Sequence, residues 1–229
     1  MVSTLLSIPC RHGRTFSADP AATALLVIDM QRDFLDPQGA SGLAGVDTAR
    51  LAAIVPTVRG VLDAARSAGL MVVHTREGHR PDLSDLSPTK REQYAASGIP
   101  VGEPGPLGRR FVRGEAGHDI VPQLAPAPGE AVIDKPGFGA FFATDLEERL
   151  RARRVTHLLL TGVTTQCCVH STLREAVDRG FACLTVADAC ATEDASLHEA
   201  VLAIIASEGH LFGWIAAAAD VTAALRASR

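Results

Sequence analysis

Cysteine is scarce in this chain, and what there is sits badly for cross-linking. The five cysteines, at positions 10, 167, 168, 183 and 190, are odd in number, include an adjacent pair and nowhere form a C-x-x-C spacing. That pattern argues against a disulfide framework and against a structural zinc site, and leaves reduced thiols as the expectation. Long apolar runs are missing too. The longest fall far short of the roughly 20 residues a membrane helix needs, so no membrane partner is expected. No basic stretch followed by an apolar core opens the chain, so no signal peptide is read and a cytoplasmic protein is expected. Positive charge is not in excess. A formal net charge of -4 with 21% charged residues offers nothing to nucleic acid or to an anionic membrane surface. Internal repeats and low-complexity tracts are absent.

What remains is apolar and evenly spread. The 229 residues are 47% hydrophobic, enough for one large core, and no boundary divides them, so a single domain over residues 1–229 is expected. Five short runs are apolar on both faces and end in polar or glycine residues: 24–28, 70–73, 130–133, 157–160 and 182–186. These read as buried parallel strands. Between them, residues 48–68, 144–153, 168–179 and 197–207 carry apolar side chains at helical spacing, with Gly69 and Gly180 as stops for the first and third. Alternating strand and helix gives an α/β fold of three layers, α/β/α, with a mainly parallel central sheet. Residues 80–129, rich in Pro, Gly and charge, are expected to make a long excursion over the active face.

Ligands of open α/β sheets bind outside the carboxyl ends of the strands. That rule gathers Asp29, residues 74–77, Lys135 and the turn over residues 162–168 around one crevice, although they lie far apart in sequence. Cys168 sits at the start of a predicted helix, where the helix dipole and free N–H groups favour the thiolate and lower its pKa from about 8.5. A nearby lysine pushes the same way. Asp29 can take the thiol proton and return it to a leaving amine. The N–H groups of Thr164 and Cys168 can hold the oxyanion of a tetrahedral intermediate. On the residues alone, blander readings stay open: Cys168 as a small core residue, Asp29 as a cap or turn former, Lys135 as a solvated loop residue.

The run Leu25-Leu26-Val27-Ile28-Asp29-Met30-Gln31-Arg32-Asp33-Phe34 resembles the V-x-D-x-Q-x-x-F opening of the isochorismatase-like cysteine hydrolases. Lys135 followed by Phe138-Gly139-Ala140-Phe141 is similar to that family's lysine segment, and residues 162–176 to its G-x-x-T-x-x-C-V-x-x-T-x-x-x-A signature. The resemblance covers nearly the whole chain. It implies a triad of Asp29, Lys135 and Cys168, a cis peptide bond between Val163 and Thr164, and a homo-oligomer, dimer or tetramer. Cys167 falls at a variable position and is read as packing. Residues 74–82, 113–119 and 207–209 resemble the biuret and triuret hydrolase branch most. Biuret hydrolase has a glutamine where this chain has Glu208, which keeps triuret, ureidoacrylate and N-carbamoyl amino acids open beside biuret.

The resemblance therefore implies a small ureido or carbamoyl substrate, with Phe34, Arg76, Glu77, Phe142 and Glu208 as expected contacts. For Arg76, Glu77 and Glu208, surface or structural ion pairs are the competing reading. A carboxylate can accept hydrogen bonds from urea N–H groups, as a donor-rich substrate requires. Nicotinamidases of the same family carry a metal site built from an Asp and several His. Here Glu77 and His79 occupy the comparable stretch without further histidines at suitable spacing, so neither a metal nor an organic cofactor is expected. True isochorismatases cleave a vinyl ether without needing a thiol, so the retained Cys168 favours amide chemistry. Nicotinamidase or isochorismatase activity and a non-catalytic binding protein on the same scaffold are the alternatives. A redox role for the Cys167–Cys168 pair ranks below them, because adjacent cysteines form a strained disulfide.

Overall fold

A computed structural model describes residues 5–228. In chain order the strands are β1 (Leu6–Cys10), β2 (Arg14–Ala18), β3 (Thr23–Ile28), β4 (Met71–Glu77), β5 (Pro104–Gly105), β6 (Gly108–Arg109), β7 (Ala131–Lys135), β8 (His157–Val163), β9 (Ala182–Ala191) and β10 (Trp214–Ala216). The helices are α1 (Arg32–Leu35), α2 (Ala40–Leu43), α3 (Thr48–Ala52), α4 (Val55–Ser67), α5 (Pro88–Ala96), α6 (Leu146–Ala152), α7 (His170–Asp178), α8 (Ala195–Ala206) and α9 (Ala218–Ala227). Six strands form one sheet in the order β10-β9-β8-β3-β4-β7, with every neighbouring pair parallel.

The apolar runs form strands because both of their faces are covered. In β3, Leu25 and Val27 join a core layer with Val58, Val61 and Leu62 of α4 and Val221 and Leu225 of α9. Ala24, Leu26 and Ile28 face the other way, onto Leu150 of α6, Leu173 of α7 and Ile205 of α8. Helices on both faces make the three layers expected from the alternation. The chain runs from β3 outward through β4 to β7, then returns to the other side of β3 for β8. The strand order reverses between β3 and β8, and their carboxyl ends part there to leave a crevice.

Several elements differ from the sequence reading. The expected helix over residues 48–68 is two helices, because Pro56 lacks an N–H and is accommodated only in the first turn of α4. The β1–β2 hairpin was not anticipated; it buries Leu6, Ile8, Phe16 and Ala18 by simple alternation. β10 and α9 were missed as well, and β9 runs on to Ala191 past a register shift opposite β8. The excursion over residues 80–129 holds α5, which starts on a Ser87 cap and Pro88. No residue of α5 is buried, so no apolar stripe marked it.

Two polar side chains tie the excursion down. Asp33, buried, accepts from the backbone N–H of Ala40 at 3.1 Å and of Phe111 at 2.9 Å. Gln31 donates to the Glu77 and His118 carbonyls and accepts from the Glu77 N–H at 2.7 Å. Both are unreachable by water, so each bond replaces a lost solvent bond rather than competing with one.

Gly162 lies where β8 passes β3, opposite Ile28, with φ +116°. A Cβ there would stand 2.0 Å from the Ile28 carbonyl oxygen. Gly162→Ala is expected to destabilise the fold by roughly 3 kcal/mol or more. That should lower the thermal midpoint by about 10 °C in calorimetry. Burial also depresses the pKa of His118, to about 4, with the Arg76 charge adding to the effect, and burial lowers those of His74 and His79. The unfolded chain binds these protons first, so stability should be full above about pH 6.5 and fall as the pH drops toward 4. A thermal midpoint that stays constant from pH 7 to 5 would contradict this.

Candidate active site

Four strand ends deliver the site. The last pair of the β4–β7 ladder sets Glu77 beside Lys135, and Asp29 follows β3 directly. Asp29 has φ 50°, a left-handed conformation that aspartate tolerates better than most residues. Beyond β8, the Val163–Thr164 peptide bond is cis, and residues Thr165–Val169 form a wide turn that runs into α7. The Thr164 carbonyl accepts from the N–H groups of Cys167 and Val169, which fixes that turn. Cys168 is thus presented from inside the turn, not from the first residue of α7.

The four side chains form one buried cluster, each at most 2% exposed. Lys135 Nζ lies 2.7 Å from Asp29 Oδ2 and 3.6 Å from Glu77 Oε2. It also donates to the Gly137 carbonyl at 3.0 Å. Thr75 Oγ1 donates to Asp29 Oδ1 at 2.6 Å. Cys168 Sγ donates to Glu77 Oε2 at 3.2 Å, and an oxygen of Asp29 lies within 4.8 Å of the same sulfur. On its far side, Glu77 Oε1 accepts from Lys90 Nζ at 3.2 Å and from the Tyr94 hydroxyl, both on α5. Lys90 also donates to the Pro136 carbonyl. With the thiol neutral, two carboxylates face two ammonium groups, and the buried charge is balanced.

Those neighbours set the protonation states. Burial raises the Asp29 carboxyl, and Glu77 adds to the rise while Lys135 opposes it. Burial would raise Glu77 as well, but Lys135 and Lys90 outweigh it and hold Glu77 low. Burial opposes the Lys135 charge, but the Asp29 and Glu77 carboxylates overcome that cost and raise its pKa. The Cys168 thiol is pushed well up, first by its hydrogen bond with Cys167, then by burial and by the two carboxylates. This corrects the expectation of a depressed thiol at a helix start. A protonated Cys168 needs a base, and Asp29, with an oxygen within 4.8 Å of the sulfur, can serve as one.

Among the other expected contacts, the structure brings only Glu77 into the cluster. Phe34, half-buried, stacks on Phe111 with ring centroids 4.9 Å apart. Phe142 is exposed and lines an outer cleft of about 470 Å³ together with Lys90, Phe138 and Ser171. Arg76 projects from the opposite face of β4, donating from Nε and Nη2 to the two Asp134 oxygens and approaching Asp119 at 3.4 Å. Alternation along a strand requires that separation from Glu77. Glu208 is exposed in the turn after α8, where it takes φ 48°. Lys90, Tyr94 and Gln31 were not singled out in the sequence, although Gln31 lies within the opening motif. A larger cleft of about 600 Å³ lies at the opposite end of the sheet, near Leu70 and Ala131, away from this chemistry.

Asp29, Glu77 and Cys168 are the one grouping among the described residues that could ligate a metal. The Lys135 ammonium already lies against Asp29 and Glu77, so a divalent cation would have to displace it. His79 takes no part; its Nδ1 lies 3.3 Å from Asp85. No helix among the described residues is long and apolar enough to cross a membrane.

The comparisons with known proteins agree with this layout. Residues 23–220 match the isochorismatase domain family. The chain is 31% identical to a protein of Caulobacter segnis named ureidoacrylate amidohydrolase RutB, over 88% of this chain and 85% of that one. It is 32% identical to the protein of the same name from Caulobacter vibrioides, over 88% and 90% of the two chains. Among solved structures, a cysteine hydrolase from Pseudomonas syringae pv. phaseolicola superposes with a TM-score of 0.80 at 27% identity, covering 100% of both chains. With the family match spanning nearly the whole chain and the strand order and crevice described above, the chain belongs to the isochorismatase family.

Proposed function

We propose that this protein is an amidohydrolase that cleaves a C–N bond of a small ureido or carbamoyl compound, with Cys168 as nucleophile. The observation that carries the reading is the buried contact of Cys168 with Glu77, beside the Lys135–Asp29 ion pair. The amidohydrolase names of the Caulobacter relatives support the same class of reaction. Asp29 accepts the thiol proton as the sulfur attacks the carbonyl carbon, and its raised pKa lets it keep that proton. Lys135 stabilises the thiolate as it forms. The N–H groups of Thr164 and Cys168 hold the oxyanion. The C–N bond then breaks, and the departing ammonia or amine takes the proton from Asp29. Water attacks the remaining thioester carbon, giving up a proton to Asp29, and the sulfur leaves as thiolate and is reprotonated. Glu77 serves as the acceptor for ureido N–H groups, a role that a low-pKa carboxylate fills in its charged form.

The test is release of ammonia or amine from biuret, triuret, ureidoacrylate, N-carbamoyl amino acids and nicotinamide. Turnover is expected on a ureido or carbamoyl member of the panel, and turnover on nicotinamide alone would refute the substrate class. On the substrate found, Cys168→Ser should lower kcat by roughly 10³-fold or more, and Asp29→Asn by about 10²–10⁴-fold. Full activity in Cys168→Ser would refute the nucleophile.

Glu77 also has a signature apart from turnover. Its negative charge raises the Cys168 thiol, so Glu77→Gln should move the pH midpoint of Cys168 alkylation by iodoacetamide downward. An upward or absent shift, read by mass spectrometry of the Cys168 peptide, would remove Glu77 from the nucleophile's surroundings.

A further inference from the structure

The nucleophile is sealed. Cys168 is 2% exposed, and Asp29, Glu77 and Lys135 are buried beside it. Lys90 links the outer cleft, which it lines, to Glu77 in the cluster. Its ammonium is bonded inward to Glu77 and to the Pro136 carbonyl, while its stem and the Phe138 ring line the cleft, with the ammonium 4.5 Å from the ring centroid. Lys90 is the one cation among the residues lining that cleft. The acidic residues there are already engaged: Glu175 accepts from the Phe141 N–H, and Asp85 accepts from the Arg80 N–H and pairs with the Arg113 guanidinium at 3.1 Å. Hydroxyl groups of Ser87, Thr89 and Ser171 complete a polar wall.

A substrate entering by this cleft meets the Lys90–Glu77 contact before Cys168, and an ammonium that leaves Glu77 needs a new partner. A neutral ureido compound offers it none beyond a carbonyl oxygen. A substrate with a carboxylate offers a full charge, while its N–H groups replace the bonds that Glu77 loses. We propose that Lys90 determines specificity, pairing with a carboxylate on the substrate. The preferred substrates are then ureido or carbamoyl acids, not neutral ureas such as biuret and triuret. This rests on the amidohydrolase reading above and narrows it. Tyr94, one helical turn along α5, donates to the same Glu77 oxygen and packs against Phe111 and Phe138, which holds α5 with Lys90 against Glu77.

The test uses a matched pair differing only in charge, N-carbamoylglycine and N-carbamoylglycinamide. The native chain is expected to favour the acid in kcat/KM. Lys90→Met should lower the acid-to-amide ratio by roughly ten- to hundredfold, the worth of one charge-assisted hydrogen bond. Lys90→Arg should keep most of the preference. A second readout does not depend on which substrate the enzyme uses: alkylation of Cys168 by iodoacetate against iodoacetamide, each rate divided by that of free cysteine. The sulfur forms its bond to carbon as iodide leaves, and only the charge differs between the reagents. Lys90→Met should cut this normalised ratio at least tenfold, with the thermal midpoint showing that the variant is folded. An unchanged ratio in the folded variant overturns the proposal, whatever happens to the absolute rates. If the pair of carbamoyl compounds is not turned over but the alkylation ratio falls as expected, the Lys90 assignment stands and the amidohydrolase reading fails.

Discussion

The ion pair between Lys135 and Asp29 is the constraint around which the site is built, because both side chains are fully buried. Neither charge survives alone in that position. Removing one partner strands the other without water, at a cost on the order of 3–5 kcal/mol. The sheet must therefore deliver the two residues together, from β3 and β7, which are separated in the sheet by β4. Glu77 at the end of β4 fills the gap, and Thr75, two residues earlier on the same face, binds the second oxygen of Asp29. Charge balance then fixes Cys168. Two carboxylates and two ammonium groups leave no net positive charge beside Cys168, an environment that favours the neutral thiol.

The loop after β3 has a second task beyond supplying Asp29. Gln31 reads the backbone of Glu77 on both its N–H and its carbonyl, and Asp33 gathers amides from two distant segments. The opening motif is thus a brace as well as the source of Asp29: Gln31 and Asp33 orient the strand end and the excursion beside it.

Much of this was legible in the sequence, for a physical reason. Strands buried on both faces are continuous apolar runs, and the polar residue that ends each run lies at a carboxyl edge by construction. Asp29 and Lys135 could be placed in that way without knowledge of any relative, and the turn carrying Cys168 likewise. Arg76 and Glu77 show the limit. Both follow the same run, but the period of two along a strand sends one into the crevice and the other into an ion pair on the opposite face. Composition cannot say which. Glu208 rests on resemblance alone, and the structure places it in an exposed turn after α8. The early hairpin carried a readable alternation at Leu6, Ile8, Phe16 and Ala18. α5 carried no apolar periodicity, and only the Ser87-Pro88 start marked it.

That last feature matters for motion as well as for recognition. A helix with no buried residue draws little stability from packing, and its hold on the molecule comes from Tyr94, Lys90 and the small apolar cluster flanking it. Such an element belongs to the low end of the local-stability range, far below the central strands. Its backbone amides therefore exchange with solvent sooner than those of β3 and β8, and they do so without global unfolding. Because α5 places Lys90 and Tyr94 on Glu77, a local opening of that helix would loosen the carboxylate that binds Cys168 without any domain movement.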